Sequence, residues 1–451
     1  MKASLEPPWL ARALRPVTEV RQGEAVTALL LSANVFLLLT AYYVIKPVRE
    51  ALILALASGA EYKAYMSGVI AALLLVLVPL YAKLVDRLPR VTLVVGVTLA
   101  FAAQLLLFFA AMAVESLRSQ LGLVFYAWVG VFNMMVVAQF WGYANDLYEK
   151  GQGERLFPMV ALGASLGAAV GSQFSALLIP ILGVPSMLLV AALLLGTCAG
   201  LYWVVERREA GRRPARAPVT QPAKALTTGG QGAFALVLSH RYLLLIALFS
   251  LVFSWVNTNG EYMLGKLFKA GALAAVARGE ISAQEQGQYI GAAYGHFFFQ
   301  VNVAGVLLQT FAVSRLVKWL GLSKAFLLLP LLALGNAALV AFVPLLALLR
   351  AGKVAENATD YSLNNTLRQM LWLVTSTEMK YKAKQAIDTF FVRIGDVCSA
   401  LSVWVFAAVL LLPVQRFAWV SVVLVGFWLL LAVAIGRAHE RLERDRAAAA
   451  T

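Results

Sequence analysis

Cysteine and histidine are scarce here: two cysteines, Cys198 and Cys398, and three histidines in 451 residues. Two thiols set in apolar runs make no disulfide framework, and with three scattered histidines they make no metal site, so neither metal nor cofactor is expected. No H-E-x-x-H or G-x-S-x-G pattern occurs, so no catalytic residue is assigned and the chain is not expected to be an enzyme. Charge is thin as well. Only 14% of residues are Asp, Glu, Lys or Arg against 61% apolar, with a mean hydropathy of +0.78, outside the range of soluble globular domains. The apolar runs lack period-2 alternation, which excludes an outer-membrane barrel. The first 24 residues lack the short apolar core of a cleavable signal and carry Lys2, Arg12, Arg15 and Arg21, so none is expected to be removed.

What is present is a series of apolar stretches about 20 residues long, the length that crosses a bilayer as a helix. Twelve spans are expected, beginning near Ala25, Ala64, Val91, Gly122, Phe157 and Pro185, then near Tyr242, Gln288, Ala325, Pro344, Gln385 and Phe417. Between the sixth and seventh lies "ERREAGRRPARAPVTQPAKALTTGGQG", basic, rich in Pro and Gly, and without apolar period, the composition of a linker. The expected division is an N-terminal segment 1–24, a six-helix bundle 25–205, a linker 206–232, a second six-helix bundle 233–436 and a tail 437–451.

The net charge of +15 has an origin in topology rather than in nucleic-acid binding. Of the 38 Lys and Arg, 26 fall in the tails and alternate loops, the positive-inside asymmetry that places both termini and the linker in the cytoplasm. The halves also echo each other. "AKLVDRLPR" follows the second span and "SRLVKWLGL" the eighth. A parallel six-plus-six repeat about a cytoplasmic linker is the plan of the major facilitator fold. "AKLVDRLPR" resembles the G-x-L-A-D-R-x-G-R loop of that superfamily through Leu84, Asp86, Arg87 and Arg90, with Ala82 and Pro89 in place of its glycines. The expected fold class is therefore an all-α polytopic membrane protein with two six-helix bundles.

Charges inside such spans are costly in hydrocarbon, by roughly 2.5–3.5 kcal/mol each on the gentlest scale, and so point to a wet interior or to each other. The first span reads "YYVIKPVREALIL": Lys46, Arg49 and Glu50 share one face beside Pro47. In the seventh, Ser250, Ser254, Asn257 and Glu261 form a stripe at helical spacing, with Lys266 beyond. The tenth, "LLRAGKVAENATDYSLNNTLRQM", carries Arg350, Lys353, Asn357, Asp360 and Asn364 along one face. The eleventh adds Asp388 and the i, i+3 pair Arg393 and Asp396. Each stripe can line a substrate path or hold helices together by ion pairs, and the tenth alone would also suit a helix lying at the interface. "GEYMLGKL" approaches the phosphate-loop pattern but has Leu267 where the magnesium hydroxyl belongs and no strand before it. Gly163, Gly167, Gly171 and Ser175 make a small-residue face suited to close helix packing.

Several segments resemble the ATP:ADP antiporter family of plastids and intracellular bacteria. "YYVIKPVREALIL" is similar to its first-span basic pattern, "FWGYANDLYEKGQGERLFPMVALGASLG" to its F-W-G-F-A-N segment and the text that follows, and "GEYMLGK" to its acid and lysine of span 7. "DYSLNNTLRQM" with "KYKAKQAIDTFFVRIGD" is similar to its spans 10 and 11. Where that family's nucleotide exchangers have an acidic residue in span 4, this chain has Val129, and Asp360–Gln369 lacks a lysine and the Asp-Pro pair of the family's K-Y-S-L-F-D-P-T-K-E. The resemblance implies a secondary transporter exchanging or importing nucleotides or related phosphorylated anions by alternating access. Lys46, Arg49, Asn257, Lys266, Arg350, Lys353, Asn357 and Arg393 are the candidates for contacting substrate. Glu50, Glu261, Asp360, Asp388 and Asp396 are the candidates for ion pairing or proton coupling. Other readings of the same residues are a carrier of an amphiphilic anion, such as a lipid or cell-envelope precursor, and a scaffold that transports nothing. The expected partners are a small anionic substrate and the lipid bilayer, without nucleic acid. The expected setting is a monomer in the bacterial inner membrane.

Overall fold

A computed structural model describes residues 20–21, 23–85, 87–148, 150–210, 232–376 and 379–450. Most of the expected segment 1–24, most of the linker 206–232, and Asp86 of the loop motif lie outside them. Among the described residues the chain forms twelve helical rods. The first four are α1 (Ala25–Leu54), α2 (Gly59–Val85), α3 (Arg90–Met112) and α4 (Arg118–Leu147). The helix Lys150–Ala210 is two rods, α5 (150–182) and α6 (184–210), because Gly183 breaks it at φ 79°, ψ 164°. That left-handed region is open to glycine and closed to most side chains. α7 is Arg241–Ala277. α8 (286–320) runs from Gln286 through a π-helical turn and stops before Gly321, which has φ 70° and ψ 169°. α9 is Leu328–Phe342. α10 (346–370), α11 (379–409) and α12 (Val414–Ala450) complete the series.

By length and hydropathy alone, nine stretches qualify as membrane crossings. The other three are α6, merged with α5 at the Gly183 break, α9, which is only 15 residues long, and α10, whose polar stripe lowers its hydropathy. Most rods begin within four residues of the expected positions; α2 starts at Gly59 rather than near Ala64, α5 at Lys150 rather than near Phe157, and α11 at Met379 rather than near Gln385.

The residues cluster into two compact units. Unit 1 comprises the described parts of Met1–Leu56, Ala72–Thr220 and Gln284–Phe299; unit 2 comprises those of Ala57–Ala71, Gln221–Ala283 and Gln300–Thr451. In unit 1, α1 lies against α5 along the small-residue face. A Cβ on Gly163 or Gly171 would come within 2.5 Å of the carbonyl oxygen of Ser32 or Thr40, and Gly167 sits closer still to that of Phe36. Ser175, next in register, donates to the Tyr43 carbonyl at 3.1 Å. The sequence spacing of four thus becomes four successive backbone contacts, since residues four apart stack on one helix face. Elsewhere in the unit, Trp128 stacks between Phe125 (5.6 Å) and Phe132 (5.3 Å). At the start of α1, Glu24 accepts Arg155 Nη2 at 2.9 Å and Nη1 at 3.1 Å, together with Gln152 Nε2 at 3.2 Å.

Unit 2 is built around α7, which packs on α11 and α12. Its apolar core includes Phe249, stacked on Phe326 at 4.4 Å and 5.3 Å from Trp428. Here the α7–α11 seam is mixed. Gly395 presses its backbone on the Leu251 carbonyl, and Ser254, Trp255, Thr258 and Asn259 exchange hydrogen bonds with Asp396, Ser399 and Ser402. π-helical turns occur at Leu308–Ala312, Asp360–Asn364, Met379–Ala383, Ile387–Phe391 and Trp404–Val409.

Candidate functional site

Two groups of charged side chains stand out, one in each unit. In unit 1 the last turns of α1 carry Lys46, Arg49 and Glu50. Glu50 is fully buried, and Arg49 grips it with Nε at 3.1 Å and Nη2 at 2.5 Å. The guanidinium also lies 4.4 Å over the Tyr126 ring of α4, so one face of its plane is spent on an aromatic and one edge on a carboxylate. Lys46, 9% exposed, places Nζ 3.9 Å from the ring centre of Phe298, 5.2 Å from Tyr43 and 5.9 Å from Tyr42. Pro47 is accommodated within α1. The spacing 46, 49, 50 puts the three charges on one face, as the sequence implied.

In unit 2 the group is larger. Asn257, Gly260 and Glu261 on α7 meet Lys353, Glu356 and Asn357 on α10, two sets with the same i, i+3, i+4 spacing. Lys353 is completely buried and donates to Glu356 Oε1 at 2.8 Å and to Asn257 Oδ1 at 3.2 Å, with Glu261 Oε1 at 3.9 Å. Gly260 permits this: a Cβ there would stand 3.1 Å from Lys353 Nζ. The stretch that approached a phosphate loop is therefore a helical turn laid against a lysine. Asn357 donates to Glu261 Oε1 at 3.4 Å, and Asn336 of α9 donates to Glu356 Oε2 at 3.1 Å. Lys63, from the second turn of α2, completes the group with Nζ 3.1 Å from Glu261 Oε2. Two lysines face two glutamates, so the network is electrically neutral.

The remaining candidates sit apart from this network. Lys266 pairs with Glu61 of α2. Arg350 donates to Gln300 at 3.0 Å. Arg393 pairs with Asp396 at 2.9 Å, and Asp396 also accepts Ser254 Oγ at 2.7 Å and Thr258 Oγ1 at 3.1 Å. Asp360 accepts Asn364 Nδ2 at 2.8 Å within its own π-helical turn. Asp388 is bound to Arg368 at 2.7 Å with its side chain 44% exposed. It is thus the least enclosed of the five expected acids.

Lys63, Glu61, Glu356, Asn336 and Tyr126 were not among the expected site residues. Glu356 was legible as the i+3 partner of Lys353. Lys63 and Glu61 were hidden by the placement of the second span, since two charges depress the hydropathy of its first turns.

A pocket of about 430 Å³ in unit 2 is lined by Glu61, Tyr262 and Lys266 on one side and by Pro344, Leu412 and Pro413 on the other. Leu267, Ala407, Val414 and Gln415 complete its lining, so the ion pair sits in a wall of mixed polarity.

The fold is all-α and polytopic, with about twelve helices, and it is of the major facilitator type in its likeness to solved structures. No family model matches the chain, and no curated protein matches it. Solved structures do. The chain is similar to the nucleoside transporter NupG at 13% identity, over 92% of this chain and 98% of that one, with a TM-score of 0.61. It is similar to a bacterial homologue of the iron transporter ferroportin in an inward-facing state at 14% identity, over 91% and 98%, with a TM-score of 0.64. A POT family peptide transporter aligns at 12% identity over 92% and 97%, with a TM-score of 0.58. At such identities the likeness is one of fold.

Proposed function

We propose that this chain is a secondary transporter that moves a small anionic solute by alternating access, with nucleotides and related phosphorylated metabolites as the leading substrate class. The observation that carries the reading is Lys353: wholly buried on α10, yet shared among Glu356, Asn257 and Glu261. A buried ion pair is weak support for stability alone, because desolvation offsets much of the attraction. It suits a site where partners are exchanged. A phosphate or carboxylate that takes up Lys353, or Arg49 across from Tyr126, replaces an internal acid and leaves the charge balance intact. Lys46, Lys266, Arg350 and Arg393 are the further cations on offer, with Asn257 and Asn357 as amide contacts. Glu50, Glu261, Asp360, Asp388 and Asp396 are the acids to be displaced or protonated. The nucleotide class comes from the resemblance to ATP:ADP antiporters. The basic tails and alternate loops support cytoplasmic termini in a bacterial inner membrane, and the protein is taken to act as a monomer.

A second reading is an amphiphilic anion such as a lipid or envelope precursor. The pocket of Glu61, Tyr262 and Lys266 favours it, since a charged pair there adjoins Leu267, Pro344, Leu412 and Pro413. One experiment separates the two. Purified protein is melted in the presence of nucleotides, sugar phosphates and lipids, and the best ligand is tested for uptake into proteoliposomes. Stabilisation by a nucleotide, with uptake lost in Arg49→Ala and Lys353→Ala, supports the first. Stabilisation by lipids alone supports the second. Full uptake in both variants overturns the role given to these cations.

A further inference from the structure

Within unit 2, three side-chain contacts run in series where α7 begins, α10 ends and α12 leaves the apolar core. Tyr242, in the first turn of α7, donates its hydroxyl hydrogen to the Leu371 carbonyl at 2.8 Å. The same hydroxyl oxygen lies 2.8 Å from His439 Nδ1 on α12. His439 Nε2, the other ring nitrogen, lies 3.3 Å from Glu443 Oε1, one turn further along the helix. His439 is buried, whereas the Glu443 side chain is 60% exposed. Among the described residues no lysine or arginine pairs with Glu443; Arg437, Arg441 and Arg444 are exposed, and Arg444 is turned onto the Glu440 carbonyl at 3.2 Å.

Counting hydrogens fixes the tautomer. Leu371 is fully buried just past the last turn of α10, so its carbonyl needs a donor, and Tyr242 supplies it. A tyrosine has one hydroxyl hydrogen. With that hydrogen spent on Leu371, the contact to His439 holds only if Nδ1 carries the ring hydrogen and Tyr242 Oη accepts it. In the neutral ring Nε2 is then a bare lone pair. It faces a carboxylate oxygen, a second acceptor, at 3.3 Å. Two acceptors keep that separation when a positive charge lies between them, either a proton or a metal ion. The distance favours the metal. A charge-assisted N–H···O contact is ordinarily shorter, about 2.7–2.9 Å. Two ligands at about 2.0–2.1 Å from one tetrahedral ion stand about 3.3–3.4 Å apart. An imidazole anchored through one N–H, with its other nitrogen turned to a carboxylate, is also how metal-ligating histidines are held.

We propose that His439 Nε2 and Glu443 bind a divalent transition cation such as zinc, with water in its remaining positions. The site lies on the expected tail 437–451, away from the Lys353 and Arg49 networks, and it depends on no reading of transport. Bound there, the ion fastens the turn 439–443 and, through the Tyr242 hydroxyl, ties it to the ends of α7 and α10. The sequence gave no reason to expect it. A histidine and a glutamate four apart share a helix face, but the tyrosine that fixes the ring lies 197 residues away in the chain.

The test uses the metal alone. Full-length protein without a polyhistidine tag, carrying Cys198→Ser and Cys398→Ser, is titrated in detergent with Zn²⁺ by calorimetry. A parallel titration with Co²⁺ is followed by visible absorption, whose intensity reports a four-coordinate site. Saturable binding of a single ion is expected. His439→Gln is expected to weaken it at least tenfold, and Glu443→Gln at least threefold. Tyr242→Phe, which removes the acceptor that orients the ring, is expected to weaken it roughly tenfold. His240→Gln and His296→Gln should bind as the parent does. Because Glu443 is exposed, its variant keeps the test open should the buried histidine variant fail to fold. Absence of saturable binding in the parent, or equal affinity in parent and Glu443→Gln, overturns the metal site and leaves a proton on Nε2 as the charge between the two acceptors. A ligand screen without a nucleotide hit leaves these titrations untouched, so this site and the transport reading fail separately.

Discussion

Gly167 and Phe36 lie so close that a methyl group on the glycine would collide with the phenylalanine's carbonyl oxygen, and the same holds in milder form at Gly163 and Gly171. Because the obstacle is backbone rather than a side-chain tip, α1 must move away from α5 to admit it. Gly167→Ala is therefore expected to lower stability by about 1–3 kcal/mol, as overpacking does, and Gly167→Leu to prevent assembly of unit 1. Ser165→Ala, at a partly exposed position two residues earlier, should melt like the parent. Thermal unfolding in detergent checks both.

The buried pair of Lys353 and Glu356 makes an asymmetric prediction. Removing one member strands the other, at a cost of about 3–5 kcal/mol, whereas replacing both with apolar residues of similar volume is often neutral. Lys353→Met and Glu356→Leu should each destabilise strongly, with the loss at Glu356 softened by Glu261 at 3.9 Å. The double variant should recover most of it. A melting cycle of the four proteins reads the coupling, and simple additivity would remove the claim that the pair acts as a unit.

Asp396 collects Arg393, Ser254 and Thr258 on two oxygens. Ser254→Ala and Thr258→Ala each remove one hydrogen bond, worth about 0.5–1.5 kcal/mol, and leave the carboxylate with its remaining partners. Asp396→Ala removes the acceptor of all three and should cost more than the two hydroxyl changes together. Melting of the three variants ranks them.

Glu24 supplies a pH test outside the spans. Burial pushes its carboxyl up, but the hydrogen bonds and charge of Arg155, the Arg21 backbone N–H and Gln152 outweigh that and hold it below its ordinary value. A depressed carboxylate stabilises the fold above its unfolded pKa, roughly 4.3 for glutamate, and loses that contribution as pH falls through the lower folded value. Parent and Glu24→Gln should differ in melting temperature at neutral pH, and the difference should shrink below about pH 4.3. A gap that widens on acidification would contradict the sign.

How much of this was legible in sequence depends on the kind of information involved. Helix existence follows from apolar length for most of the rods, α10 being read instead from its polar stripe at helical spacing, and the register of Gly163, Gly167, Gly171 and Ser175 could be read directly. Lys46, Arg49 and Glu50 share a face because helical geometry requires it, and Lys353 with Glu356 follows the i, i+3 rule. Partners on different helices could not be read. Lys63 was assigned to a loop because charge in the first turns of α2 mimics a span boundary, and Asn336 sits in an apolar run that gives no hint of Glu356. Asp388 was grouped with the enclosed acids, and its exposure beside Arg368 has no signature in hydropathy.

The π-helical turns of unit 2 carry a consequence for its tolerance of length change. In a regular α-helix, deleting one residue rotates everything beyond it by about 100°, which would scatter a ligand set. A π turn is a wide loop holding a spare residue within the spiral. Excising one residue from Ile387–Phe391 tightens that loop to an ordinary turn, so the phase of Arg393 and Asp396 against α7 survives a cut that α7 itself, with no such slack, would not withstand.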